Sequence, residues 1–201
     1  MMNYLGTPSI ETERLILEEF RLTDAQKAFA HWLSDERISD NRISAAHTSL
    51  SQTIERLTKI VFNYEKDDFC YWAIKLKVDG ELIGEIDLYD FDQATENCEV
   101  SYSLGYHWWN KGYGTEALKA VVDFGFTYMN VHKISGAHNT DNPASGKIMS
   151  KAGMLKEGII RDMIRNSKNQ YKDCAVYGIL HDDYVRKQVD MESPILKLVN
   201  K

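Results

Sequence analysis

From Glu99 to Tyr106 apolar and polar residues alternate, with Val100, Tyr102, Leu104 and Tyr106 on one face and Glu99, Ser101, Ser103 and Gly105 on the other. A period of two predicts a strand. Just beyond, the spacing changes. Leu118, Val121, Val122, Phe126 and Met129 recur at helical intervals and predict a helix from Thr115 to about Asn130. Between the two lies a turn that carries Lys111, Gly112 and Gly114. Without Cβ atoms such a turn winds tightly and lets a ligand reach the backbone, and the first turn of the helix offers unpaired N–H groups and a partial positive charge. Lys111 adds a full one, so the pattern predicts an anion site.

The same reading orders the rest of the chain. Glu13 to Phe20 predicts a first strand, and Thr23-Asp24 a cap for a helix to about Leu33. Ser34 to Ala46 is polar and irregular. Thr48-Ser49 opens a second helix, in which Ile54, Leu57, Ile60, Val61 and Tyr64 form a stripe toward the core. Tyr71 to Lys77 and Leu82 to Tyr89 flank Asp79-Gly80 as a hairpin, and the acidic turn Asp90 to Asn97 leads on to the Glu99 strand, which predicts an antiparallel meander. Lys133 to His138 is a strand separated from the Glu99 strand by a helix, so the two are expected to be parallel neighbours. Ala144 to Lys151 is a short helix after Pro143, stopped by Gly153, and Leu155 to Ile164 and Tyr171 to Leu180 are strands around the turn Asn166 to Asn169. The sum is an α+β chain with a mixed sheet. Residues 1–184 are expected to form one domain and 185–201 a C-terminal extension. In that extension Asp182 to Met191 is charged and extends the last strand into a short helix, Pro194 interrupts, and the apolar Ile195, Leu196, Leu198 and Val199 are expected to dock.

Composition narrows the function classes. With 201 residues, 43% of them hydrophobic, the chain can bury one good core. A net charge of −6 and a pI near 5.5 argue against nucleic-acid binding and are compatible with a cationic substrate. Cys70, Cys98 and Cys174 are odd in number and widely spaced, which suggests neither a disulfide framework nor a zinc site and fits a reducing cytoplasm. No signal-peptide pattern is seen, and no apolar run approaches the roughly 20 residues that span a bilayer, so no membrane partner is expected. His31, His47, His107, His132 and His181 show no paired ligand spacing, and no metal is expected.

Gly112-Tyr113-Gly114-Thr115-Glu116-Ala117 formally matches G-x-G-x-x-A. A dinucleotide fold would place that turn after a first strand, with an acidic residue ending the next one, whereas here it follows a meander and the next strand ends in His138. A Walker loop fails for want of Gly-Lys-Ser/Thr. Instead, Trp109-Asn110-Lys111-Gly112-Tyr113-Gly114-Thr115-Glu116-Ala117 resembles the Q/R-x-x-G-x-G/A coenzyme A loop of the GNAT acyltransferases, in the form used by the Rim-type branch that includes ribosomal-protein N-terminal acetyltransferases. Asn142-Pro143-Ala144-Ser145, Lys151-Ala152-Gly153-Met154, Glu157-Gly158 and Glu13-Arg14-Leu15 resemble further elements of that branch. Trp109 departs from the usual Gln or Arg, and Met149 stands where many members carry a tyrosine acid. The resemblance spans Glu11 to about Tyr184. It implies a mostly antiparallel twisted sheet with a splayed parallel strand pair and flanking helices, with acetyl-CoA as co-substrate in the splay. The cofactor-binding loop would comprise Trp109, Asn110, Lys111, Gly112, Tyr113, Gly114 and Thr115, with the pyrophosphate on the N–H groups of Lys111 to Thr115. Pantetheine would lie between Asn142 and Ser145 on one side and backbone freed by a bulge around Leu104, Gly105 and Tyr106 on the other.

The implied chemistry is attack of an uncharged primary amine on the thioester, which needs a base and gains from an acid. Glu99, beside the thioester position, is the candidate base, and its plain alternative is a solvated strand carboxylate. Ser145 is the candidate acid, with a helix-cap role as its alternative. His138 ends the parallel strand near the gap and is a second, weaker base candidate. Three acceptor readings stay open: a protein N-terminal amine, a small amine such as a polyamine or aminoglycoside, and a non-catalytic acyl-CoA-binding module. A monomer or homodimer is expected.

Overall fold

The strand expected from Glu13 to Phe20 is present, and a short strand before it makes it the second arm of a hairpin. In the computed structural model, which describes residues 1–40, 44–190 and 198–199, β1 (Ser9–Glu11) precedes β2 (Leu15–Glu18), and Thr12 to Arg14 make the turn. The helix expected after Asp24 is broken into α1 (Ala25–Ala28) and a wider π turn, Phe29–Leu33, followed by α2 (Glu36–Ser39). Then come α3 (Leu50–Asn63), β3 (Cys70–Leu76), β4 (Leu82–Asp92), β5 (Asn97–Leu104), α4 (Tyr113–Thr127), β6 (Lys133–Asn139), α5 (Pro143–Ala152), β7 (Leu155–Arg165), β8 (Tyr171–Leu180) and α6 (His181–Asp190). The turn residue Gly80 has φ +69°, and the stop residue Gly153 φ +102°, backbone conformations that glycine adopts without strain.

The described strands form one sheet in the order β7-β8-β6-β5-β4-β3-β2-β1, with a last short strand, β9 (Leu198–Val199), against β1. Every neighbouring pair is antiparallel except β5 and β6, which are parallel. The sheet is covered on both faces. On one, α4 and α5 lie over Trp72, Ile74, Ile86, Leu88, Val100 and Ile134, with Trp72 edge-on to Phe124 of α4 at 5.5 Å. On the other, α1 and α3 bury Phe20, Trp32, Leu57, Ile60, Ala73 and Leu82.

The α3 stripe is narrower than its spacing predicts. Thr53, Leu57 and Ile60 are buried, while Ile54 is 45% exposed. Ile195, Leu196 and Lys197 of the tail lie outside the described residues.

Candidate active site

The parallel pair is short. β5 and β6 are joined at Asn97–Lys133, Cys98–Ile134 and Glu99–Ser135 and then part, although β5 stays paired with β4 up to Leu104 and β6 with β8 up to Asn139. Val100 to Leu104 and Gly136 to Asn139 therefore line an open wedge. The N–H of Gly105 donates to the carbonyl of Ile83 (2.9 Å), which makes Glu99, Ser101, Ser103 and Gly105 the residues that bond β4. Alternation then points the N–H and C=O groups of Tyr102 and Leu104 and the Val100 carbonyl into the wedge, while the Val100 N–H closes the last rung with the Ser135 carbonyl.

At the expected site of Leu104, Gly105 and Tyr106 the three carbonyls have partners within the protein. The Leu104 carbonyl accepts from the indole N–H of Trp109 (2.7 Å), the Gly105 carbonyl from Trp108 N–H (2.9 Å) and the Tyr106 carbonyl from Trp109 N–H (3.2 Å). Those carbonyls are occupied, and the free backbone lies upstream. Nor is there a bulge at the end of β5. The register shift sits in the β3–β4 pair, at Ile83, beside Gly84, whose Cβ position would lie 2.2 Å from the Ser103 carbonyl oxygen. The separation of β5 from β6 is therefore what frees the groups. Trp109 thus ties the glycine turn to the end of β5 in place of a polar side chain.

The turn itself is built for an anion. Asn110 (φ +59°) and Gly112 (φ +83°) are left-handed, and Gly112 stands just before α4, whose first internal bond runs from Glu116 N–H to the Gly112 carbonyl (3.0 Å). The N–H groups of Lys111, Gly112, Tyr113 and Gly114 meet no protein acceptor among the described residues. Thr115 follows them in the first turn of α4. Lys111 is exposed, and Gly114 is buried with its Cβ position 3.0 Å from Ile148 and 3.1 Å from Leu104. Free donors at a helix start, with no side chain over them, fit a diphosphate.

Across the wedge, Asn142 precedes α5. Its carboxamide donates to the Ser145 hydroxyl oxygen (3.0 Å), so Ser145 caps no backbone group yet keeps its own proton for a further acceptor. Tyr102, which alternation alone marks as a core residue, reaches over the wedge and donates to the Ser145 carbonyl (2.9 Å). Burial pushes its phenol pKa up, so the hydroxyl stays protonated. Met149 is buried in the core beside Gly136 and brings no proton.

The opposite face of β5 is acidic and hydroxylated. Glu99 lies opposite Tyr89, whose hydroxyl donates to it (2.7 Å), and Asp87 lies opposite Ser101, whose hydroxyl donates to it (2.5 Å). Burial, then the Glu99 hydrogen bond and charge, push the Tyr89 phenol pKa up. Further in, Glu85 is 2% exposed and held by Arg56 of α3 at 2.8 and 3.1 Å. Sequence reasoning missed Asp87 and Tyr89; the register of the hairpin around Gln93–Glu96 was the signal that could have found them.

His138 lies on the other face. Its Nδ1 pairs with the Asn139 carbonyl (2.8 Å), and its Nε2 is buried against Gly146, whose Cβ position would lie 2.6 Å away. The sheet separates it from Glu99, so it does not share the acceptor face. A cavity of about 600 Å³ lies between α5 and the β6–β8–β7 strands, lined by His138, Pro143, Lys147, Lys151, Ile159 and Tyr177 among others. Among the described residues no group of three or more His, Cys, Asp or Glu is placed to hold a metal, and no helix is long and apolar enough to cross a membrane.

Comparison with known proteins agrees with this geometry. The family described as "Acetyltransferase (GNAT) domain" matches residues 14–155. An uncharacterised N-acetyltransferase of Bacillus subtilis, YoaA, is 30% identical over 173 residues, 86% of this chain and 97% of that protein. Spermidine N(1)-acetyltransferase of Escherichia coli is 23% identical over 161 residues, 79% of this chain and 86% of the enzyme. The crystal structure of the ribosomal-protein-S5-alanine acetyltransferase of Vibrio fischeri shares the fold with a TM-score of 0.76 at 20% identity, covering 88% of this chain and 98% of that one. The acyl donor of such a domain is acetyl-CoA. The chain belongs to the GNAT acetyltransferases and is an acetyl-CoA-dependent N-acetyltransferase.

Proposed function

We propose that the chain moves an acetyl group from acetyl-CoA straight to a primary amine that arrives as a cation on the Glu99 face of β5. The observation that carries this reading is the wedge beyond Glu99–Ser135, which opens toward the unpaired N–H groups of Lys111 to Gly114 at one end and the Asp87–Glu99 surface at the other. Lys111 and the turn N–H groups hold the pyrophosphate. Asn142, the Val100 carbonyl and the wedge-facing groups of Tyr102 align pantetheine, and the Tyr102 N–H faces the charge that develops on the thioester oxygen.

Acetyl-CoA supplies an acyl group already activated as a thioester. Asp87 and Glu99 attract the ammonium form of the acceptor, and Glu99, held by Tyr89, takes its proton so that the nitrogen lone pair can form the new C–N bond. The C–S bond breaks, the Ser145 hydroxyl donates a hydrogen bond to the departing thiolate, and the second nitrogen proton, released as the amide forms, passes to that sulfur to give the free thiol. The acceptor read first is a protein N-terminal amine. The pair of carboxylates also favours a second reading, a small polyamine, whose further ammonium groups would sit on Asp87. An amine panel with thiol release as readout tests both. Turnover with N-terminal peptides supports the first and turnover with linear polyamines the second; no thiol release above hydrolysis with any amine refutes the proposed transfer.

A further inference from the structure

Arg14 lies 97 residues from Lys111 in the chain, yet the β1–β2 turn brings it against the anion site. Its Nη1 donates to the Lys111 carbonyl (3.1 Å), and its guanidinium carbon stands 4.6 Å from the Tyr113 ring centre. Glu116, in the first turn of α4, is fully engaged by the same turn. One carboxylate oxygen accepts from the Thr12 hydroxyl (2.6 Å) and Arg14 N–H (2.8 Å), the other from Arg14 Nε (2.7 Å) and Nη2 (2.6 Å).

Two consequences follow from elementary geometry and charge. The Lys111 carbonyl and the Gly112 N–H belong to one trans peptide plane and point in opposite directions. Anchoring the carbonyl on Arg14 therefore aims the Gly112 N–H away from Arg14, toward the open side of the turn. Glu116, for its part, is an anion at a helix start, where it would seek the free N–H groups and repel a diphosphate. Arg14 and Thr12 turn it the other way and neutralise it. Gly112 leaves room for this, since its Cβ position lies 3.3 Å from Arg14 Nη2.

We propose that Arg14, with Thr12 and Glu116, is the positioning device of the acyl-donor site: it aims the Gly112 N–H at the pyrophosphate and withdraws the Glu116 carboxylate from it. The inference rests on the reading of the turn as the pyrophosphate site.

The test compares acetyl-CoA with acetyl-pantetheine, the same thioester without pyrophosphate or nucleotide, in steady-state thiol release. Arg14→Ala raises the KM for acetyl-CoA roughly ten- to hundredfold, the scale of a lost bidentate charge-assisted contact. It leaves kcat at saturation and kcat/KM for acetyl-pantetheine within about twofold. Glu116→Gln in the Arg14→Ala background separates positioning from direct phosphate contact: removing the unneutralised carboxylate recovers part of the acetyl-CoA KM if Arg14 acts on Glu116 and the turn, and recovers none if Arg14 only touches the phosphate. Arg14→Lys, which lacks the planar fork, does not restore the KM. An unchanged acetyl-CoA KM in Arg14→Ala, an equal loss with both donors, or no recovery in the double variant overturns the inference alone. A wild-type enzyme that uses both donors equally well overturns the pyrophosphate reading, and this inference with it.

Discussion

The proposed base, Glu99, is the last residue of β5 paired with β6, with its carboxylate on the face opposite α4 and a phenol as partner. Glu99→Gln is expected to lower kcat roughly 10²- to 10⁴-fold, flatten the acidic limb of the pH–rate profile and leave the acetyl-CoA affinity unchanged. Wild-type kcat in that variant would return Glu99 to a solvated strand carboxylate. At Gly146 the limit is space, since a Cβ would stand 2.6 Å from His138 Nε2 and 2.9 Å from the Tyr177 oxygen. Gly146→Ala should cost about 1–3 kcal/mol by overpacking, measurable as a lower denaturant midpoint with an unchanged slope. At this scale the glycines, Lys111 and Glu99 were legible through their place in a strand and a turn, and Asn142, Ser145 and Arg14 through the resemblance, though with no role for Arg14. The roles of Arg14, Tyr102 and Asp87 come from partners that only folding supplies: a peptide 97 residues away, a carbonyl across the wedge, a serine across the hairpin.

Elements were legible where the pattern is local. Asp79-Gly80 between two alternating runs fixed the β3–β4 hairpin, and Gly153 ended α5 with the left-handed turn its chemistry allows. Long-range placement was not: β8 inserts between β6 and β7, and β1 is three residues long, too short for its alternation to stand out. The clamp between the β1–β2 turn and α4 is also an element-level feature, with a pH signature. Burial alone would raise the Glu116 pKa, but the hydrogen bonds of Thr12 and Arg14 outweigh it and hold the carboxyl below its ordinary value of 4.5. A depressed folded pKa gives stability that is present above the unfolded value and lost as pH falls through the folded one. Acid unfolding of the wild type below about pH 4.5 should therefore be steeper than that of Glu116→Gln; equal slopes would show that the clamp carries no such linkage.

For the whole molecule, β9 on the free edge of β1 places the end of the chain at the sheet margin opposite β7. Truncation after Ser193 bares that edge and is expected to lower Tm, by about 2–4 °C for each kcal/mol lost, with an unchanged mass in solution. An unchanged Tm would make the tail dispensable, and a dimer becoming a monomer would make it an interface. The central claim is that the turn from Lys111 to Thr115 holds acetyl-CoA at the mouth of the β5–β6 wedge. Gly112→Val tests it most directly, because a β-branched side chain at φ +83° both strains the turn and stands over its N–H groups. Calorimetric titration of acetyl-CoA into the wild type and into the folded variant should give binding in the first and none measurable in the second. Equal affinity in the two would contradict the account.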